Sequence, residues 1–98
     1  MAAPTATKCV AHEQITSLSS AAPLTSSKYA SNGARYALIE CDHTANKYIR
    51  WRDDGTAPTA TTGISLAPGE KLVYDGNLAD IRFIEESASA KLNVSYYA

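Results

Sequence analysis

Two cysteines and two histidines in this chain are of the residue types that bind zinc. Together Cys9, His12, Cys41 and His43 offer the two thiolates and two imidazoles of a tetrahedral zinc shell. Side chains three positions apart on an extended strand point to opposite faces, so Cys9 and His12 do not converge. Neither Cys–His pair has the flanking turn of a zinc knuckle. The spacing therefore predicts no metal site and no cofactor, with Cys41 buried in the core and both histidines at the surface or a loop edge.

Acidic residues occur in two clusters that could bind calcium or supply an acid and a base. Asp53-Asp54-Gly55 suggests a calcium loop, but such a loop needs a bidentate Glu at its twelfth position, and the twelfth residue here is Ile64. The cluster is typical of a turn. Glu85 and Glu86 are neighbours on a predicted strand, so they face opposite sides and cannot share a substrate. The sequence has no nucleophile elbow and no glycine-rich phosphate loop, and we expect a protein that is not an enzyme.

Tyrosine and arginine residues form a third group, a combination that is enriched at protein–protein hot spots. The candidate protein interface comprises Tyr48, Arg50, Arg52, Tyr96 and Tyr97, with Tyr36 as a further aromatic residue. Exposed aromatic rings could equally stack on sugars, and a single Tyr is common on a strand without any binding role. The group as a whole favours a protein interface, because outward-facing arginines need partners or solvent.

These residues depend for their positions on strands whose side chains alternate between two faces. The clearest strand covers residues 48–52, in which Ile49 and Trp51 point inward while Arg50 and Arg52 point outward. Four more strands are predicted at 36–41, 70–74, 81–85 and 91–97, and a weaker pattern covers 13–18. About six short strands without a helical stripe predict an all-β fold, either a small antiparallel β-sandwich or a jelly-roll-like barrel.

Length and charge limit the classes of protein to which this chain can belong. Its 98 residues suit one domain, which we divide into an N-terminal arm at 1–12 and a β-sandwich domain at 13–98. Nine basic and ten acidic residues give a net charge of −1, without the footprint of nucleic-acid or acidic-membrane binding.

No apolar run of about 18 residues predicts a membrane span, and residues 1–8 lack the apolar core of a secretion signal. With only two cysteines, we expect a reducing cytoplasm and no disulfide.

Four segments of the chain resemble a family of small structural proteins encoded in tailed-bacteriophage genomes. They are YIRWRDDGTAPTA at 48–60, GISLAPGE at 63–70, IRFIE at 81–85 and LNVSYY at 92–97. The resemblance covers residues 13–98 and is a pattern of strand and turn residues rather than of catalytic ones. It implies a component of the virion, assembled in the cytoplasm of the bacterial host, and it assigns no site.

The resemblance and the Tyr/Arg group together lead to a hypothesis of a non-enzymatic capsid decoration, or cement, protein that bridges and stabilises major-capsid subunits. The expected partners are the major capsid protein or other virion proteins, with this chain as a homo-oligomer or in many copies and without nucleic acid or membrane. Weak single contacts become strong when several subunits are engaged at once. Two alternatives stay open: a neck or tail accessory protein of the virion, and a carbohydrate-binding host-attachment module that uses Tyr48 or Tyr97.

Overall fold

The computed structural model describes residues 8–98, which form eight β-strands and one 3₁₀ turn at Ser26–Lys28. The strands are β1 (Cys9–Ile15), β2 (Ala22–Pro23), β3 (Tyr36–Cys41), β4 (Ile49–Arg52), β5 (Ile64–Leu66), β6 (Lys71–Tyr74), β7 (Arg82–Glu85) and β8 (Leu92–Tyr97). The prediction of an all-β fold is confirmed. No helix in residues 8–98 has the length and apolar character needed to cross a membrane.

The strands form two four-stranded sheets in which neighbouring strands run antiparallel. The order is β1-β8-β3-β6 in the first sheet and β2-β7-β4-β5 in the second. Most neighbours in a sheet are distant in the sequence; Cys9 of β1, for example, lies opposite Tyr97 of β8. Among these pairs only β4 and β5 follow one another in the chain. The chain therefore crosses repeatedly between the sheets, and contacts between distant segments decide how each strand is surrounded.

Inward-facing side chains of both sheets share one hydrophobic core. The buried strand residues of the first sheet are Ala37, Ile39, Cys41, Tyr74, Leu92, Val94 and Tyr96, and those of the second sheet are Ile49, Leu66 and Phe83. In β3 and β8 these residues occupy alternate positions, because successive side chains of a strand point to opposite faces. The prediction that Cys41 is a buried core residue is confirmed.

Trp51 points inward, as predicted, but it lies at the rim of the core rather than at its centre. Its partly buried ring packs edge-on against Tyr74 of β6, with 6.4 Å between centroids and 66° between planes. The Tyr74 hydroxyl donates a hydrogen bond to Asp53 Oδ2 over 3.0 Å. Burial, together with this carboxylate, raises the pKa of Tyr74 to about 12. These contacts join β6 of the first sheet to the end of β4 in the second.

The N-terminal boundary and the number of strands differ from the prediction. β1 begins at Cys9, so residues 9–12, which the sequence assigned to an arm, belong to the first sheet and pair with β8. The predicted arm boundary at residue 12 is therefore wrong, and arm residues 1–7 lie outside the described residues. β2 and β5 were not predicted, because strands of two and three residues are too short to show alternation.

Candidate functional site

The structure distributes the five candidate interface residues over three places. Tyr48, Arg50 and Arg52 follow one another along the outward face of the second sheet, with Tyr48 immediately before β4. Tyr96 lies in the core, and Tyr97 lies on the outward face of the first sheet. Tyr48 is the most open of the five, with 49% of its surface exposed. The five residues therefore do not form a single surface.

Arg50 points outward, yet its guanidinium is bound to the chain's own loops. Its Nη1 donates a hydrogen bond to the Gly63 carbonyl oxygen over 3.0 Å. Its Nε lies 2.8 Å from Glu86 Oε2, in an ion pair that lacks the alignment of a hydrogen bond. Only 27% of the Arg50 side chain is exposed. Arg50 therefore stabilises the fold, and its contact with a partner stays a prediction.

The loop that Arg50 holds folds back onto β4. Gly63 has a φ of +136°, and a methyl group at this position would approach the Trp51 carbonyl oxygen to 3.1 Å and the Pro58 Cβ to 3.2 Å. Pro58 is buried. Beyond it, Thr59 and Thr62 exchange two backbone hydrogen bonds of 2.9 and 3.2 Å. Glycine is needed at position 63 because any side chain would be both strained and crowded there.

Arg52 is held by the turn that follows its own strand. Its Nε and Nη2 donate to the two carboxylate oxygens of Asp54, and Asp54 Oδ1 also accepts the Thr56 N–H over 3.2 Å. These bonds, that from Arg52 foremost, lower the pKa of Asp54. Gly55 has a φ of +82°, which confirms the predicted turn at 53–55. Across the sheet, Arg52 lies opposite Arg82 of β7, whose Nη1 donates to the carbonyl oxygens of Ala79 and Ile81.

Tyr96 is fully buried and cannot contact a partner protein, so its assignment to the interface is wrong. Its side chain is 0% exposed, because alternation along β8 puts it on the inward face with Leu92 and Val94. Its hydroxyl donates a short hydrogen bond to Glu13 Oε2, and Glu13 Oε1 accepts the Thr25 hydroxyl over 2.6 Å. Burial and then the Glu13 carboxylate raise the pKa of Tyr96, which keeps the hydroxyl protonated. The three residues fasten the segment after β2 to β1.

Tyr97 forms part of an aromatic pair on the outward face of the first sheet. Its ring stacks on Tyr36 of β3, with 4.9 Å between the centroids and 9° between the planes. The two residues lie directly opposite each other on adjacent strands. Such a pair presents a broad ring surface with little side-chain freedom left to lose on binding.

A polar ladder crosses all four strands of this same face. Gln14 donates to Asn93 Oδ1 over 2.9 Å, Asn93 donates to Glu40 Oε1 over 3.0 Å, and Lys71 Nζ lies 3.3 Å from Glu40 Oε2. The hydrogen bond from Asn93, followed by that from Lys71, lowers the pKa of Glu40. Sequence reasoning missed this ladder, because its members become neighbours only when β1, β8, β3 and β6 pair.

An open groove of about 410 Å³ lies at the edge of the second sheet. We call it the Trp51 groove; its lining residues are Trp51, Arg52, Asp53, Asp54, Thr62, Gly63 and Ile64. Ile64 lies opposite Trp51 in the register of β4 and β5 but is 57% exposed, because β5 is an edge strand. A smaller depression of about 180 Å³ lies on the first sheet beside His12 and Leu38.

The four residues considered as zinc ligands do not form a metal site. Cys9 is exposed in β1, whereas Cys41 is buried and its thiol donates to the Lys47 carbonyl oxygen over 3.0 Å. Burial raises the pKa of the Cys41 thiol to about 11, which makes it a poor ligand and a poor nucleophile. Within residues 8–98, no three or more His, Cys, Asp or Glu side chains are grouped so that they could hold a metal ion.

Comparison with known proteins identifies no relative of this chain. A scan against protein-family models, a search of curated proteins and a search of solved structures each found no match. The resemblance to phage structural proteins therefore stays a prediction.

Proposed function

We propose that this protein is a non-enzymatic structural component of a tailed-phage particle, a capsid decoration protein that bridges neighbouring major-capsid subunits. The observation that carries this proposal is the strand order of the two sheets. It is supported by the resemblance of residues 48–97 to phage structural proteins and by two aromatic surfaces on the outward faces of the sheets.

The strand pairs follow the pattern of one long hairpin wound into two sheets. The pairs β1·β8, β2·β7, β3·β6 and β4·β5 match each strand of the first half with its counterpart in the second half. We infer from this order that the fold is a jelly roll, an eight-stranded arrangement that is common in viral capsid and lectin domains. One fold hosts many functions, so the strand order supports a capsid role only together with the resemblance in sequence.

Two binding surfaces on opposite sides of the molecule suit a bridging protein. The outward face of the second sheet offers the exposed Tyr48 and the partly exposed Arg52 and Arg82. The outward face of the first sheet offers the stacked Tyr36 and Tyr97. Tyrosine and arginine are enriched at hot spots. A protein that contacts two neighbours at once converts two weak contacts into one stable attachment.

Three of the four carboxylates that the sequence offers for calcium binding or acid–base chemistry are engaged in structural contacts. Asp54 binds Arg52, Glu86 pairs with Arg50, and Glu85 Oε1 accepts the Ala90 N–H over 3.3 Å. Each of these contacts stabilises a turn or a loop beside the second sheet. They support a protein that acts by binding other virion proteins, and the proposal requires no cofactor, nucleic acid or membrane.

Quantitative mass spectrometry of purified particles tests this function. The particles are those produced from the genome that encodes this chain, and the copy number is measured relative to the major capsid protein. We expect hundreds of copies per particle. A number near about six or about twelve, the counts of cyclic neck and tail assemblies, would instead support the neck or tail role. Absence from the particles would contradict both roles.

The two proposed surfaces are tested by rebinding purified protein to particles from a phage that lacks the gene. Tyr48→Ala and Tyr97→Ala should each weaken rebinding by about tenfold or more, because hot-spot truncations cost about 2 kcal/mol. Ser27→Ala, an exposed change in the 3₁₀ turn, is the control and should rebind like the wild type. Rebinding of the Tyr48→Ala, Tyr97→Ala double variant at the wild-type level would rule out both surfaces.

A further inference from the structure

The Trp51 groove combines an apolar wall with polar side chains. Trp51 and Ile64 face each other across β4 and β5, and both line the groove. Arg52, Asp53 and Thr62 add charged and hydroxyl groups. The volume of about 410 Å³ falls within the range of roughly 300–1,000 Å³ typical of small-ligand sites. The groove therefore has the size and the mixed lining of a binding site for part of a small ligand.

Hydrogen-bonding groups in this groove are left without partners in residues 8–98. Asp53 uses only Oδ2, which accepts the Tyr74 hydroxyl, and its Oδ1 makes no hydrogen bond. The Trp51 indole N–H and the Thr62 hydroxyl likewise make none within the described chain. The residues that line the groove thus carry a donor, an acceptor and a hydroxyl beside an aromatic ring, in contrast to the polar ladder of the first sheet, whose members bond one another.

The charges of the groove determine the class of ligand. Arg52 is neutralised by Asp54, whereas Asp53 has no cation among its partners in residues 8–98. The remaining negative charge disfavours phosphorylated, sulfated or sialylated ligands. A purely apolar ligand would cover Asp53 and the Trp51 N–H without replacing their bonds to water, at a cost in affinity. A neutral ring with several hydroxyl groups avoids both the repulsion by Asp53 and the loss of these hydrogen bonds to water.

The groove is held in shape before any ligand arrives. Tyr74 contacts the Trp51 ring edge-on and donates a hydrogen bond to Asp53, so one residue holds two of the side chains that line the groove. On the other side, Gly63 is held by Arg50, and Thr62 by its backbone bonds to Thr59. A site that is already ordered loses little conformational entropy on binding.

From these observations we propose that the Trp51 groove binds one pyranose unit of a neutral oligosaccharide. The C–H face of the sugar packs on Trp51 and Ile64, because the face of an indole ring carries a partial negative charge. The sugar hydroxyls donate to Asp53 Oδ1, accept a hydrogen bond from the Trp51 N–H, and exchange hydrogen bonds with the Thr62 hydroxyl. This site is distinct from the Tyr48 and Tyr97 surfaces, and it does not rest on the proposed role in the virion.

A glycan array followed by fluorescence titration tests the ligand class. Labelled full-length protein is applied to an array of neutral and anionic oligosaccharides, and the strongest neutral binder is titrated up to about 10 mM. Trp51 is the only tryptophan, so its emission reports directly on the groove. We expect a saturable change in emission and at least about tenfold weaker binding of the sialylated counterpart. Absence of a neutral binder, or stronger binding of the sialylated sugar, would overturn the proposal.

Two conservative variants test whether the sugar lies in the groove. Asp53→Asn removes the charge and one acceptor, and Thr62→Val removes the hydroxyl while keeping the shape; each should weaken binding by about tenfold in calorimetry. Thr16→Val makes the same chemical change at an exposed position after β1 and should leave the affinity unchanged. Circular dichroism confirms that each variant is folded. Wild-type affinity in folded Asp53→Asn and Thr62→Val would place the sugar elsewhere and refute the site.

Discussion

Replacing Arg50 and Arg52 separately by alanine distinguishes two residues that share one outward face but have different partners. Arg50→Ala removes the 3.0 Å hydrogen bond to the Gly63 carbonyl oxygen and the 2.8 Å ion pair with Glu86. A hydrogen bond from a charged donor contributes about 1.5–3 kcal/mol, and an exposed ion pair contributes about 0.2–1 kcal/mol. Because 27% of the side chain is exposed, we expect a loss near the lower end, about 2 kcal/mol.

Arg52→Ala removes contacts within a single turn. Its partner Asp54 lies two residues along the chain, and the side chains of the pair are 30% and 54% exposed. Screening by water reduces the value of such a pair, so we expect a loss of about 0.5 kcal/mol or less in the free energy of unfolding. The two substitutions remove the same side chain from the same strand, so each serves as the control for the other.

Thermal unfolding followed by circular dichroism measures the difference. A domain of this size loses about 4–8 °C in Tm for each kcal/mol. We therefore expect a decrease of about 8–16 °C for Arg50→Ala and of less than about 4 °C for Arg52→Ala. Equal shifts in the two variants would refute the reasoning, because Arg50 would then contribute no more to the loop at 53–63 than an exposed surface arginine does.

Three further substitutions test separate parts of the fold. Gly63→Ala should cost about 2–3 kcal/mol in urea denaturation, because the φ of +136° strains a side chain that also meets the β4 backbone at 3.1 Å. Tyr96→Phe keeps the core filled but removes a hydrogen bond to Glu13, so the same measurement should show a loss of about 1–2 kcal/mol. The Thr44 hydroxyl, as the largest cause, lowers the pKa of Asp42 from 3.8 to about 2. The resulting stabilisation is fully present above the unfolded-state pKa of 3.8 and is lost as the pH falls through the folded-state pKa of about 2. Asp42→Asn should therefore flatten the dependence of Tm on pH between these two pKa values.

Each of these predictions has an outcome that would contradict it. Wild-type stability in Gly63→Ala would mean that the loop adjusts without cost, and wild-type stability in Tyr96→Phe would mean that the hydroxyl contributes nothing to the core. For Asp42→Asn, a Tm profile that declines with acid as steeply as that of the wild type would assign the acid sensitivity to other carboxylates.

Local patterns in the sequence determined the strands and the faces of their side chains. Alternation over 36–41, 48–52 and 91–97 predicted strands that the structure contains, and it placed Ile49 and Cys41 in the core. The same alternation puts Tyr96 on the face of its buried neighbours, so its assignment to an interface went against a signal that the sequence contained. The turn at 53–55 was also predictable. All of these features depend on residues a few positions apart.

Only the tertiary structure decided which outward side chains stay open. The carbonyl that binds Arg50 is 13 residues away, and Gln14 and Asn93 are 79 residues apart, so no local pattern reveals either contact. β2 and β5 are also too short to recognise before their partners are known. The availability of an outward side chain depends on the strand or loop beside it, and that neighbour is fixed by packing two sheets on one core. For this reason Tyr48 remains open while Arg50, two residues later on the same face, does not.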